Sequence, residues 1–268
     1  MIMIVDSHTH LNLEDGETFK DSLRRHLKDM NKNEVDYAIL IPGTELGSDT
    51  ADLETILGLI KNEPRLFSLG TLNIFRDKKP VLNKLDKLFE EKRIVGIKLF
   101  PGHHPFYPTD KRLIPVYELC IKHDLPVMIH TGILPKDTEC AKYNDPKHVI
   151  KVAKNFPILK IVIAHYFLPK VEYCFEITKP FRNIYYDTSA LADDAVVKMT
   201  GLQKIKKVLA ETVKEKPENL LFGTDYNAFG FKEHIDLINS LEITDVQKEK
   251  IFWRNAQKLF KLELNWRD

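Results

Sequence analysis

The sequence predicts a single (β/α)8 barrel over residues 1–268. Eight short apolar runs recur at a spacing of roughly 30 residues, and most are followed by an amphipathic helical pattern. A second observation is chemical. Polar side chains of the kind that bind metals stand where the runs end.

The runs are Ile2–Val5, Tyr37–Ile41, Leu66–Leu72, Val95–Phe100, Pro126–Ile129, Ile161–Ala164, Ile184–Tyr186 and Leu220–Phe222. They are continuously apolar rather than alternating, which suits strands covered on both faces. Between them, Val81, Leu82, Leu85, Leu88 and Phe89 follow the i, i+3, i+4 stripe of a helix, as do Leu113, Val116, Tyr117 and Cys120. Pro126, Pro157 and Pro217 stand where a helix must give way to the next strand. A doubly wound open sheet is the competing arrangement. It usually carries a glycine-rich turn after the first strand, and here that place reads His-Thr-His.

The length, 268 residues, fits one α/β barrel, which typically takes about 250. Net charge is +1, with 40 basic against 39 acidic residues, so no global field favours a polyanion such as nucleic acid. The longest basic stretch, Lys204–Lys207, reads as a solvated helix face. Three scattered cysteines, Cys120, Cys140 and Cys174, give no disulfide framework and fit a reducing, cytoplasmic setting. The apolar start, Met1–Val5, is too short for a leader or a span, and no run approaches the ~18 apolar residues of a membrane helix. A small molecule is therefore the expected partner. A homodimer remains open, being the commonest soluble assembly.

The first run leads into Asp6-Ser7-His8-Thr9-His10. Lys98 lies in the fourth run, and His130, His165, Asp187 and Asp225 come after the fifth to eighth. A barrel gathers the C-terminal ends of its strands at one mouth, where active sites are built. His8 and His10, two apart on a strand, share a face. With His130 and Asp225 they make a set of three nitrogens and one oxygen. That set suits one Zn²⁺, with Fe²⁺ or Mn²⁺ as alternatives, and an open position for water. Taken singly, each residue has a plainer role. A lone histidine is more often a core or surface residue, and a strand-end aspartate such as Asp187 is expected to cap the next helix, as is Ser189. The joint pattern favours the metal.

The stretches VDSHTH, IVGIKLFPG from Ile94, LPVMIHTG, IVIAHYF, LLFGTDYN and FWRNAQKLFKL resemble the amidohydrolase superfamily over nearly the whole chain. The likeness is to its amidohydrolase-2 branch, which includes aminocarboxymuconate-semialdehyde decarboxylase and related hydrolases. The resemblance implies His8, His10 and His130 as ligands, and Asp225 as a ligand or proton acceptor. It implies His165 as a nearby base or a group that polarises substrate. Some members carboxylate a strand-four lysine to bridge two metals, with a strand-six histidine on the second. Here that implicates Lys98 and His165. The plainer expectation is one metal, with Lys98 as an ammonium that binds a substrate carboxylate or pairs with Asp225.

The loop Pro101–Pro108 offers His104 and Tyr107 as the expected substrate contacts, and Tyr226–Phe231 is expected to close another side of the pocket. His26, His123, His148 and His234 fall in helical stretches and are expected to be structural. The leading function is a metal-dependent hydrolase of an amide, ester or lactone, with Asp225 as proton acceptor. The alternative is non-oxidative decarboxylation of an aromatic or muconate-type acid. A TatD-type nuclease fits poorly, because that family has an acidic ligand where GIKLF stands. A histidinol-phosphatase-type phosphoesterase needs more histidines, and a non-catalytic barrel would not keep an intact ligand set.

Overall fold

Parallel strands close into a ring in the computed structural model, which describes residues 2–45, 47–76, 79–133, 138–226 and 228–265. The strand segments are β1 (Val5–Thr9), β2 (Tyr37–Leu40), β3 (Leu66–Ser68), β4 (Gly70–Thr71), β5 (Ile97–Leu99), β6 (Val127–Ile129), β7 (Ile161–Ile163), β8 (Ile184–Asp187) and β9 (Leu220–Leu221). Pairing runs β1-β2-β3 and then β4 through β9 in sequence order, always parallel.

The third predicted run becomes two segments, because Leu69 hands the ladder across. Its N–H donates to the Leu40 carbonyl (3.0 Å), while the Gly70 N–H donates to that of Gly96 (2.8 Å). The ring closes between first and last strands, where Ser7 N–H reaches the Phe222 carbonyl at 2.9 Å and Asp225 N–H reaches that of His8 at 2.8 Å. Closure gives each described strand a neighbour on both sides.

The first strand starts later than the apolar run Ile2–Val5 and continues through polar residues. It can do so because each polar side chain finds a partner inside. Ser7 Oγ donates to the Phe222 carbonyl and Thr9 Oγ1 to that of Ile39. Asp6 accepts from the N–H groups of His8 and Thr224 and from the Thr224 hydroxyl.

Helices surround the ring: α1 (Phe19–Lys32), α2 (Leu53–Leu59), α3 (Lys79–Glu90), α4 (Ile114–His123), α5 (Ala141–Asn144), α6 (Pro146–Asn155), α7 (Val171–Thr178), α8 (Asp194–Thr200), α9 (Leu202–Glu215), α10 (Phe231–Asn239), α11 (Asp245–Glu249) and α12 (Asn255–Phe260). Their apolar stripes are buried: Leu85, Leu88 and Phe89 on α3, and Val116, Tyr117 and Cys120 on α4. Each large apolar side chain so removed from water contributes about 1.5–3 kcal/mol. The helix before each of the three noted prolines ends two or three residues earlier, at His123, Asn155 and Glu215. Thr18 caps α1 reciprocally with Asp21, and Asp193, not Asp187, caps α8. Lys204 and Lys207 project from α9 into solvent while Ile205 is buried. No helix among the described residues is long and apolar enough to cross a membrane.

Candidate active site

One mouth of the ring opens on a cavity of about 350 Å³ lined by His8, His10, Lys98, His130, His165 and Asp225, together with Asn12, Phe100 and His103. The loop after β2 adds Thr44, Glu45, Ser48 and Thr50. All the expected metal-site and catalytic residues thus meet in one space, although they come from strands spread over the whole chain.

His8 and His10 are held in the same tautomer by different acceptors. His8 Nδ1 lies 2.8 Å from Asp187 Oδ2, and His10 Nδ1 lies 3.0 Å from the Ile41 carbonyl. A carbonyl accepts only, and an ionised carboxylate accepts only, so both Nδ1 atoms carry hydrogen, and in the neutral rings both Nε2 atoms present lone pairs. Those two Nε2 atoms stand 3.4 and 3.2 Å from a single oxygen, Asp225 Oδ1. Three lone-pair atoms crowded at one point repel unless a cation or a proton sits among them. Donor atoms of His8, His10 and Asp225 all lie within 4.8 Å of one another, as do those of His8, His165 and Asp187.

His130 lines the same cavity but stands outside both of those clusters. Its Nε2 is buried without a hydrogen-bond partner among the described residues, and its ring centroid is 5.0 Å from that of His165. A buried polar nitrogen left unpaired is costly unless a ligand satisfies it. The donor set therefore fits a divalent cation held by His8, His10 and Asp225, with His130 in reach of the same space.

Lys98 is buried, with Nζ 3.1 Å from His8 Nε2 and 3.7 Å from Met128 Sδ. Burial pushes its ammonium down to about 8, against the pull of Asp187 and Asp225. Burial, followed by the charge of Lys98, lowers His8 to about 3, opposed by Asp187. His130 and His165 are also lowered, chiefly by burial. Burial raises the Asp225 carboxyl, but His10, His165 and His8 outweigh it and hold it well below the usual range. Asp187 shows the same balance, with His8, His165 and Lys98 prevailing over burial. Asp6, which has hydrogen-bond donors but no cation beside it, is pushed by burial up to about 8.

His165 is aimed by an unusual backbone. After β7 the chain enters the left-handed region at His165 (φ 62°), Tyr166 (φ 49°) and Phe167 (φ 56°). Such conformations cost about 1–3 kcal/mol each in a non-glycine residue and persist only where neighbours enforce them. The enforcing contacts are specific. Thr131 Oγ1 donates to the Ala164 carbonyl and accepts from Phe167 N–H at 2.8 Å, and His165 N–H donates to Asp187 Oδ1 at 3.1 Å. Asp225 is itself left-handed, at φ 67°, with Ala228 N–H on its carbonyl.

His104 and Tyr107, expected to touch substrate, do not line the cavity. His104 Nε2 turns instead to Thr44 Oγ1 (2.8 Å) and Glu45 (3.2 Å). Tyr107 is 40% exposed and packs on Tyr143 and His148. The neighbouring His103 takes the inner position, its ring 4.4 Å from that of His130. Burial lowers His103 to about 4. On the other predicted wall, Ala228 reaches the cavity, and Asn227 lies outside the described residues. Asp187 and Ser189 cap none of the described helices. They bind the site histidines instead. His26 and His234 are buried, and His123 pairs with Asp86 near the surface.

A family model described as amidohydrolase matches residues 5–262. The chain belongs to the amidohydrolase family. No curated protein matches this amidohydrolase-family chain by sequence. Among solved structures, it is similar to an uncharacterised TIM-barrel protein of Bordetella bronchiseptica, at 19% identity and TM-score 0.78, covering 97% of this chain and 99% of that one. It is similar to 5-carboxyvanillate decarboxylase of Novosphingobium aromaticivorans complexed with manganese and a nitrobenzoic acid, at 15% identity and TM-score 0.69, covering 97% and 96%. A third is a putative 2-pyrone-4,6-dicarboxylic acid hydrolase of Pseudomonas putida, at 15% identity and TM-score 0.72, covering 99% and 100%. At these identities the likeness is one of fold, and it establishes the barrel.

Proposed function

We propose that this amidohydrolase-family protein is a metal-dependent hydrolase of a small amide, ester or lactone. The observation that carries the reading is the convergence of two Nε2 lone pairs on Asp225 Oδ1, at 3.4 and 3.2 Å, inside the barrel mouth. The ion would be held by His8, His10, His130 and Asp225. The nitrogen-rich set favours Zn²⁺, with Fe²⁺ or Mn²⁺ as alternatives.

When bound, such a cation supplies Lewis-acid polarisation of a carbonyl and lowers the pKa of water. Asp225 would take up the proton of the attacking water at its carboxylate and return it to the leaving group. His165 moves a proton at Nε2, since its Nδ1 is engaged by Ser189. Lys98 places positive charge beside His8, where a developing oxyanion gains from it. Among the described residues lining the cavity there is no arginine, and Glu45 adds negative charge. That wall disfavours polyanionic substrates.

A second reading is non-oxidative decarboxylation of an aromatic or muconate-type acid. Lys98 favours it, as a buried cation in the wall able to pair with one carboxylate. The test is to load the protein with Zn²⁺ or Mn²⁺ and screen lactones, amides and esters by proton release, alongside aromatic acids by carbon dioxide release. Proton release from a lactone, amide or ester without carbon dioxide supports hydrolysis. Carbon dioxide from an aromatic acid, with every hydrolysable substrate untouched, overturns it in favour of the second reading.

A further inference from the structure

Asp187 is a four-donor hub. Its Oδ2 receives His8 Nδ1–H at 2.8 Å. Its Oδ1 receives the His165 N–H at 3.1 Å, the Ser189 N–H at 3.2 Å and the Ser189 hydroxyl at short range. A carboxylate offers about four lone-pair sites. Three of these donors fall on Oδ1 and one on Oδ2, so the carboxylate is the acceptor in every one of its contacts.

That count fixes the direction of the next hydrogen bond. Ser189 Oγ lies 2.9 Å from His165 Nδ1. The serine hydrogen is committed to Asp187, so the serine oxygen accepts and Nδ1 donates. The Ser189 carbonyl, 3.4 Å from the same Nδ1, points to the same polarity, because a carbonyl accepts only. His165 Nε2, the other ring nitrogen, makes no hydrogen bond among the described residues, and His165 lines the cavity.

We propose that Ser189 is a positioning residue, whose hydroxyl links Asp187 to His165 and fixes His165 as the Nδ1–H tautomer with an Nε2 lone pair facing the cavity. His165 then acts on substrate as a proton acceptor rather than as a donor to an oxyanion. The same carboxylate thereby sets both His8, through Oδ2, and His165, through Ser189 on Oδ1. All three members of this link are buried. This role for His165 rests on the hydrolase reading, whereas the tautomer does not.

The test is nitrogen-15 NMR of histidine-labelled, Zn²⁺-loaded protein, with the His165 signals assigned by their loss in His165→Asn. Ser189→Ala removes the hydroxyl, and Ser189→Cys keeps most of the volume while weakening the hydrogen bond. In the wild type we expect a protonated Nδ1 and an unprotonated Nε2. In both variants we expect that signature to be lost or mixed, and kcat to fall about 10–100-fold, as for other residues that orient metal-site groups, with KM and zinc stoichiometry unchanged. A wild-type signal with hydrogen on Nε2 overturns the proposal. So do variants that keep both the wild-type tautomer and the wild-type kcat. The spectra need no turnover, so failure of the hydrolase reading and failure of the Ser189 link are seen separately.

Discussion

His8 Nδ1 and Asp187 Oδ2, 179 residues apart in the chain, form a buried 2.8 Å hydrogen bond that turns His8 Nε2 toward Asp225. A carboxylate behind a ligating imidazole fixes its tautomer and raises its basicity. Asp187→Asn keeps the shape and removes the charge. Its expected effect is a loss of about 10–100-fold in metal affinity, read by calorimetric titration with Zn²⁺ or Mn²⁺. Unchanged affinity would mean that the pair serves packing alone.

Asp225→Asn keeps an oxygen near His8 and His10 but cannot take up a proton. Loss of a general base typically costs about 10²–10⁴-fold in rate. We expect kcat to fall by that order while metal stays bound at higher free concentration. Parallel kinetics and metal analysis check it, and a variant that retains kcat removes Asp225 from the proton path.

The fold and the gathering of the site are legible in the sequence for one reason. Strands covered on both faces, such as Ile161–Ile163 and Val127–Ile129, read as unbroken apolar runs, and a barrel brings the residues at their C-terminal ends to one mouth. His130, His165 and Asp225 emerge from that rule. Asp187 reads locally as a cap because strand-end aspartates commonly cap helices. Its true partner, His8, is set by ring closure rather than by local spacing. Sequence alone cannot rank His103 above His104, because which of two adjacent loop histidines turns inward depends on Thr44 and Glu45, from another loop. The left-handed turn at His165–Phe167 has no glycine to announce it.

Gly223 follows β9 at the ring's seam, between His8 of β1 and Asp187 of β8. A Cβ there would stand 3.0 Å from His8 Cβ and 3.5 Å from Asp187 Cβ. Gly223→Ala is therefore expected to spread the His8–Asp187 pair and to destabilise the fold by about 1–3 kcal/mol, as overpacking does. Thermal denaturation and metal titration of the same variant check both effects. A variant matching the wild type in both would show that the seam yields freely.

Asp86 on α3 binds Lys122 Nζ at 2.7 Å and His123 Nε2 at 2.6 Å on α4. The Lys122 hydrogen bond, then that of His123, lowers its carboxyl below the usual value of 3.8. A depressed acid adds stability that is fully present above the unfolded pKa and is lost as pH falls through the folded one. Asp86→Asn should thus lower Tm slightly at neutral pH, because the pair is partly solvated. The gap between the two proteins should close as pH drops below the usual aspartate value. A gap that persists or widens in acid contradicts the assignment.

A single cation held between His8, His10, His130 and Asp225 underlies the proposed chemistry. Metal analysis of the purified protein after loading with Zn²⁺ and dialysis, wild type beside His130→Ala, tests it most directly. The expected result is one tightly held ion per chain in the wild type and its loss in the variant, with both proteins folded by circular dichroism. A folded wild type that retains no ion, or a variant that keeps the full complement, would contradict it.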